Sequence, residues 1–310
     1  MSVEEELSGL LPKKGMLLTI GVFDGVHLGH KHLLSELVEQ AKHKNLINGV
    51  ITFRQHPQRL LDPYSGLSFL TNLPQKIKLL KDEGVEVVIT LSFTLELAQT
   101  GAYQFISLLQ KYLSMRGLVL GPDFTLGRNQ EGNADALRTL SKCINFSLTV
   151  VPQIKINGDV VSSTAIRSAL ANGDIKKANV MLDRYFSLEG HVITGTGRGT
   201  DLGFPTANLD IEPERALPAD GIYATWAYIN TQRYQSVTNI GKRPTFGEGE
   251  QTVEVYILDF QGNLYRHEIK IDIIERLRRE EKFNTIEELK KQIEEDIKQA
   301  RAILNRSSRD

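Results

Sequence analysis

The chain of 310 residues has one cysteine, one tryptophan and no excess of either charge. A lone Cys143 can form no internal disulfide, which excludes a fold stapled by disulfides. Lys and Arg number 37 against 38 Asp and Glu, for a net charge of -1. Phosphate-backbone binding usually leaves a basic excess, so this balance gives a nucleic-acid or anionic-membrane partner no support. No apolar run approaches the roughly 18 residues of a membrane-spanning helix. The opening MSVEEELSGLL is acidic where a secretory leader would be basic. GxxxxGK[ST] and HExxH are both missing, which removes a Walker loop and the commonest zinc helix. These absences lead to the expectation of a cytoplasmic protein with no nucleic-acid and no membrane partner.

What remains is ordinary globular composition, 41% hydrophobic and 24% charged. At about 150 residues per domain the length suggests two domains, and the texture changes near residue 185. Before it, strand-like runs at Leu17–Val22, Val50–Phe53, Val85–Leu91, Gly117–Leu120 and Ser147–Val151 alternate with helical patterns such as Ala102–Leu113. Near-continuous Val/Ile runs of that kind predict a parallel sheet covered on both faces. After it, short period-2 runs such as GIYATWAYI and QTVEVYILDF, punctuated by Gly and Pro, predict an antiparallel barrel or sandwich. A last helix is marked by Thr285 and Glu288 as a capping box, then apolar residues from Ile286 to Leu304 at spacings of three and four. The expected division is 1–185 and 186–310.

Two segments of the first part carry chemistry. LLTIGVFDGVHLGHKHLL runs from a buried strand through Gly21, Gly25 and Gly29 into a helix. A helix N-terminus offers unpaired N–H groups and partial positive charge to an anion. His27 and His30, three apart at that junction, can face the same phosphates, and the helix end favours their neutral form. VVSSTAIRSAL opens a later helix with the hydroxyls of Ser162, Ser163 and Thr164 and the forked cation of Arg167. Singly, each could be a turn, an N-cap or a surface charge; together they make a triphosphate cradle.

In the second part, Gly195, Gly197 and Gly199 precede GFPTAN. Gly-rich turns between strands are often only hairpins. Here Thr206 and Asn208 follow the rigid Pro205, and a hydroxyl beside an amide oxygen is a hard donor pair suited to Mg²⁺. Glu254 alternates with Val253, Val255 and Ile257, so it points away from their face. Whether it points into water or into a cleft is open at this level.

GVFDGVHLGH with SSTAIR resembles the adenylyltransferase module of bacterial bifunctional riboflavin kinase/FAD synthetases, and GTGRGTDLGFPTAN resembles the riboflavin kinase signature. VTNIGKRPTFG, VEVYILDF and LRREEKF match the rest of the kinase module in the same order. The resemblance implies an α/β Rossmann-like nucleotidyltransferase domain followed by a small antiparallel β-barrel domain with a C-terminal helix. It implies phosphorylation of riboflavin to FMN, then adenylylation of FMN to FAD, with ATP and Mg²⁺ at each step and a monomer or weak homo-oligomer. By motif position, Gly21, Phe23, Asp24, Gly25, His27, Gly29, His30, Ser162, Ser163, Thr164 and Arg167 would bind ATP for adenylyl transfer, with His27, His30 and Arg167 catalytic. TFRQHP and GPDFTLG would supply His56, Pro57, Asp123 and Phe124 to FMN. In the kinase, Gly195, Gly197, Gly199, Thr206 and Asn208 would hold Mg²⁺-ATP. Glu254 would be the base, and Arg278 would join it at the flavin. Gln55, Leu126 and Tyr256 depart from the family pattern. A chain with one half degenerate, or a flavin-binding regulator without catalysis, would keep much of the same pattern.

Overall fold

A computed structural model of the chain describes residues 2–9, 12, 14–62, 66–195, 197–242 and 251–307. Two compact units are present, Met1–Ser163 and Thr164–Asp310.

The first unit runs α1 (Val3–Ser8), β1 (Met16–Ile20), α2 (Leu28–His43), β2 (Ile47–Phe53), α3 (Pro57–Leu61), α4 (Leu73–Asp82), β3 (Val87–Leu91), α5 (Leu95–Gln99), α6 (Ala102–Leu113), β4 (Met115–Leu120), α7 (Ala134–Cys143), β5 (Ser147–Val150), β6 (Lys155–Ile156) and β7 (Asp159–Val160). The five longer strands form one parallel sheet in the order β3-β2-β1-β4-β5. Every residue of β1 is buried, and neighbours go to opposite faces. Leu18 joins a core with Ile106 and Leu109 of α6, while Leu17 joins one with Leu34 and Leu37 of α2. Burial on both faces is why these strands read as continuous apolar runs. The sheet grows from β1 in both directions, so the strand order reverses there, where open α/β sheets bind ligands.

Two details differ from the sequence expectation. β2 starts at Ile47, three residues before the apolar run, because tertiary contacts satisfy the polar Asn48. Its amide donates to Glu86 Oε1 at 2.9 Å and accepts from Glu86 N at 2.8 Å. The hairpin β6–β7 was not anticipated, although Asn157-Gly158 with φ of 51° and 88° is a type I′ signal.

The second unit contains α8 (Ser163–Ala171), which begins at the division, α9 (Ile175–Leu182), β8 (Phe186–Ile193), α10 (Arg198–Leu202), β9 (Ala207–Asp210), β10 (Gly221–Ile229), β11 (Gln232–Lys242), β12 (Gln251–Ile257), β13 (Glu268–Arg278) and α11 (Ile286–Ser307). Six strands close an antiparallel barrel in the order β10-β11-β12-β9-β8-β13. The architecture is therefore the expected one, an α/β layer followed by a barrel and a terminal helix. Period-2 alternation turns Val253, Val255 and Ile257 inward, together with Ile269, Ile271 and Ile273, all buried. Thr225, Ser236 and Thr238 lie buried among them and satisfy one another through hydroxyl contacts of 2.7 Å. Outside the barrel, Ala300 and Leu304 of α11 pack on Ala224, Trp226 and Ile274. Thr285 Oγ1 accepts from Glu288 N at 3.1 Å, as a cap should, but the Glu288 carboxylate returns to Asn284 N rather than to Thr285.

Candidate functional sites

In the first unit the chain leaves β1 through a tight turn. Phe23 and Val26 hold φ of 52° and 37°, a left-handed conformation that a β-branched residue rarely adopts. Strain of that kind persists only where surroundings hold it, and here they do. The buried Asp24 carboxylate accepts from Leu70 N at 3.0 Å and Thr71 N at 3.1 Å. Thr71 Oγ1 in turn accepts from Gly25 N at 3.0 Å. Asp24 thus anchors the turn. Ser163 Oγ donates to the Asp24 carbonyl at 2.8 Å, bringing the SST segment onto the same turn.

His27 is the N-cap of α2, and its Nδ1 accepts from His30 N at 3.4 Å. An accepting Nδ1 leaves the proton on Nε2 as a donor. The rings of His27 and His30 stack at 3.7 Å, and Phe23 lies 5.0 Å from His30. Burial pushes His30 well below its ordinary pKa, and the charges of His27 and Lys76 add to the effect. His30 Nδ1 is buried without a hydrogen-bond partner among the described residues. A neutral imidazole with an unspent ring nitrogen, on a helix N-terminus, fits a phosphate ligand. Elsewhere in this unit, His56 caps α3 by accepting from Gln58 N at 3.1 Å, with Pro57 as the first helical residue. Asp123 bonds the Gln153 amide, and Phe124 packs against the core. Thr164 and Arg167 lie on α8 in the second unit, respectively exposed and half-buried.

In the second unit one cavity of about 240 Å³ is lined by Gly195, Gly197, Gly199, Thr206, Asn208 and Glu254. Glu254 therefore points into a cleft. Strand register explains the convergence: Asn208 of β9 pairs directly with Glu254 of β12, which pairs with Asn239 of β11. Three adjacent strands thus present amide, carboxylate and amide in one row on the outer face of the barrel. Asn239 was missed from sequence, where one Asn in VTNIG gives no sign that it will stand beside Glu254. Its Oδ1 is buried with no partner among the described residues. Glu280, also missed, lines the cavity too. Its carboxyl is pushed up by burial and by Asp220 and Glu254, against an opposing hydrogen bond from Asn239. A hydroxyl, amide oxygens including an orphaned one, and carboxylates form a hard oxygen set that fits Mg²⁺.

Arg278 does not line this cavity. Its guanidinium grips Asp296 of α11 through Nε and Nη2, both at 2.8 Å, and stacks over Phe283. Tyr256 packs edge-on against Phe204 of GFPTAN, with ring centroids 5.7 Å apart. The RPTFG portion of VTNIGKRPTFG lies outside the described residues.

Comparison with known proteins matches a different family model to each part of the chain. The FAD synthetase model matches residues 11–165, and the riboflavin kinase model matches residues 182–304. A bifunctional riboflavin kinase/FMN adenylyltransferase of Bacillus subtilis is 36% identical, over 92% of this chain and 91% of its own. The chain belongs to the bifunctional riboflavin kinase/FMN adenylyltransferase family. The Haemophilus influenzae member is 35% identical, over 94% of this chain and 95% of its own. The crystal structure of a macrolide-efflux protein from Streptococcus pneumoniae superimposes with a TM-score of 0.88 at 30% identity. It covers 95% of this chain and 96% of that one. Among the described residues no helix is long and apolar enough to cross a membrane.

Proposed function

We propose that residues 186–310 transfer the γ-phosphate of ATP to the 5′-hydroxyl of riboflavin, and that residues 1–185 transfer the adenylyl group of a second ATP to the FMN so formed. The carrying observation is that each unit holds its own donor set: the His27–His30 pair on α2 in one, the Asn208–Glu254–Asn239 row in the other. Family membership supports both activities and, with them, riboflavin, FMN, ATP and FAD as ligands.

In the kinase, Glu254 takes the proton of the riboflavin hydroxyl as it attacks. Thr206 and Asn208 hold Mg²⁺, which supplies neutralisation of phosphate charge when bound. Gly195, Gly197 and Gly199 let the backbone approach the phosphates, and Arg278 steadies the flavin edge of the site through its hold on α11. In the adenylyltransferase, an FMN phosphate oxygen attacks the α-phosphorus of ATP and pyrophosphate leaves. His27 and His30 donate to the phosphates, and Phe23, Gly21, Gly25 and Gly29 shape the turn around them. Ser162, Ser163, Thr164 and Arg167 stabilise charge on the departing pyrophosphate, while His56, Pro57, Asp123 and Phe124 receive FMN. No covalent intermediate is required; positioning and electrostatics carry the transfer.

We place the functional boundary at residue 185, with 1–185 as adenylyltransferase and 186–310 as kinase, acting in the cytoplasm as a monomer or weak homo-oligomer. Purified protein with riboflavin, ATP and Mg²⁺ should yield FMN and then FAD by chromatography. FMN alone, or FAD only from supplied FMN, would reduce the chain to one activity. Neither product would leave a binding protein.

A further inference from the structure

Lys76 is a buried cation to which neither half-reaction has yet given a task. It sits on α4 with 6% of its surface exposed, and its Nζ donates to the carbonyls of Val22 and Phe53, each at 3.0 Å. Val22 lies two residues past the end of β1, inside the turn that leads to His27. Phe53 is the last residue of β2, and the chain leaves it for His56 and Pro57. One ammonium group thus joins the segment assigned to ATP to the segment assigned to FMN. A second donor holds the same point, since Thr52 Oγ1 donates to the Val22 carbonyl at 3.0 Å. The loop before α4 grips the turn again, through Leu70 N and Thr71 N on the Asp24 carboxylate.

Packing alone does not call for a lysine here. A methionine would fill a similar volume without the desolvation that burial imposes on an ammonium. Burial lowers Lys76 to about 8, against the opposing influence of Asp24, so the group remains largely a cation at neutral pH. What the ammonium adds is several donors on a single atom, bridging the exits of two neighbouring strands.

We propose that Lys76 is a positioning residue for adenylyl transfer, tying the ATP turn after β1 to the flavin segment after β2 so that the FMN phosphate meets the α-phosphorus in line. This rests on the adenylyltransferase reading of the first unit. In the step it serves, a phosphate oxygen–phosphorus bond forms, the α–β bond of ATP breaks and pyrophosphate departs with the electron pair. Lys76 exchanges no proton.

The test uses the full chain. In Lys76→Met, kcat for FAD formation from FMN and ATP should fall by about 10²-fold, the scale of a misaligned attack. KM for both substrates should stay within about threefold, because each segment keeps its own ligand contacts. ATP sites counted by calorimetry and the rate of riboflavin phosphorylation should match wild type. Thr52→Val, which removes the second donor to Val22 at nearly constant volume, should lower the same kcat by several-fold. A Lys76→Met chain that makes FAD within threefold of the wild-type rate overturns the assignment. So does one that loses an ATP site together with FAD formation while Thr52→Val behaves as wild type, the pattern of a merely structural lysine. Wild-type protein that makes no FAD from supplied FMN would overturn the parent reading instead.

Discussion

Gly195→Ala isolates the kinase cavity with a single carbon. Gly195 has no positive φ, so its backbone accepts a side chain. The space does not, since a Cβ there would lie 2.2 Å from Asn208 Nδ2 and 2.7 Å from Asn208 Cγ. Carbon and nitrogen settle at roughly 3.5–4 Å, so the Asn208 amide must move by more than about 1 Å. The amide is the end of a side chain and can rotate, which keeps the loss of stability to about 1–2 kcal/mol. Function should suffer more. The amide leaves its place in the row with Glu254, and a displacement of about 1 Å in a positioning group costs on the order of 10²-fold in rate. FMN formation from riboflavin and FAD formation from supplied FMN would be followed by chromatography, beside a thermal melt. Kinase kcat/KM should fall by about 10²-fold with FAD formation unchanged. Gly158→Ala, in the β6–β7 hairpin and not among the residues lining the kinase cavity, is the control: among the described residues nothing lies within 4 Å, but φ is +88°. It should cost about 1–2 kcal/mol of backbone strain and leave the kinase within a few-fold of wild type. A Gly195→Ala enzyme that phosphorylates riboflavin at the wild-type rate would refute the place given to Asn208.

Other outcomes follow from the same geometry. Glu254→Gln should abolish phosphorylation of riboflavin while leaving FAD synthesis from FMN intact; loss of both in a folded protein would contradict the assignment of activities to units. His30→Ala should slow adenylyl transfer by about 10²-fold and spare the kinase, and an unchanged rate would remove His30 from the mechanism. His30 also predicts a pH effect. Its folded-state pKa lies well below the ordinary 6.5, so the unfolded chain binds a proton first as pH falls. Stability is unaffected above about pH 7 and is lost as pH drops through roughly 6.5 toward the folded value. Between pH 7.5 and 5.5 the urea midpoint of wild type should drop further than that of His30→Gln, and equal drops would count against the burial argument. Asp24→Ala, which strips the acceptor from Leu70 N and Thr71 N, should cost about 2–4 kcal/mol in the first unit. A thermal melt unchanged by Asp24→Ala would show that the turn does not depend on that carboxylate.

Much of this was legible in one dimension because it depends on local periodicity. Strands buried on both faces must be apolar throughout, so β1 and β4 announced a covered parallel sheet. Glu254, flanked by Val253 and Val255, had to face away from the barrel interior. The glycine-histidine string had to be a turn into a helix, and Asn157-Gly158 carries the turn signal of the β6–β7 hairpin. Interactions between distant segments left weaker traces. Gln55, the departure in TFRQHP, has no structural account here. Tyr256 does: it lies edge-on against Phe204, fifty-two positions earlier in the chain.

The amino-acid order by itself determined which residues share a face, where turns fall and which strings could bind phosphate, because a polypeptide's repeat of two or about 3.6 residues is intrinsic to its backbone. Only tertiary structure decided that Glu254 stands between Asn208 and Asn239, that Arg278 is occupied by Asp296, and that Lys76 clasps the exits of two strands. Those facts depend on which strands become neighbours, and no local pattern encodes the registry between segments tens of residues apart.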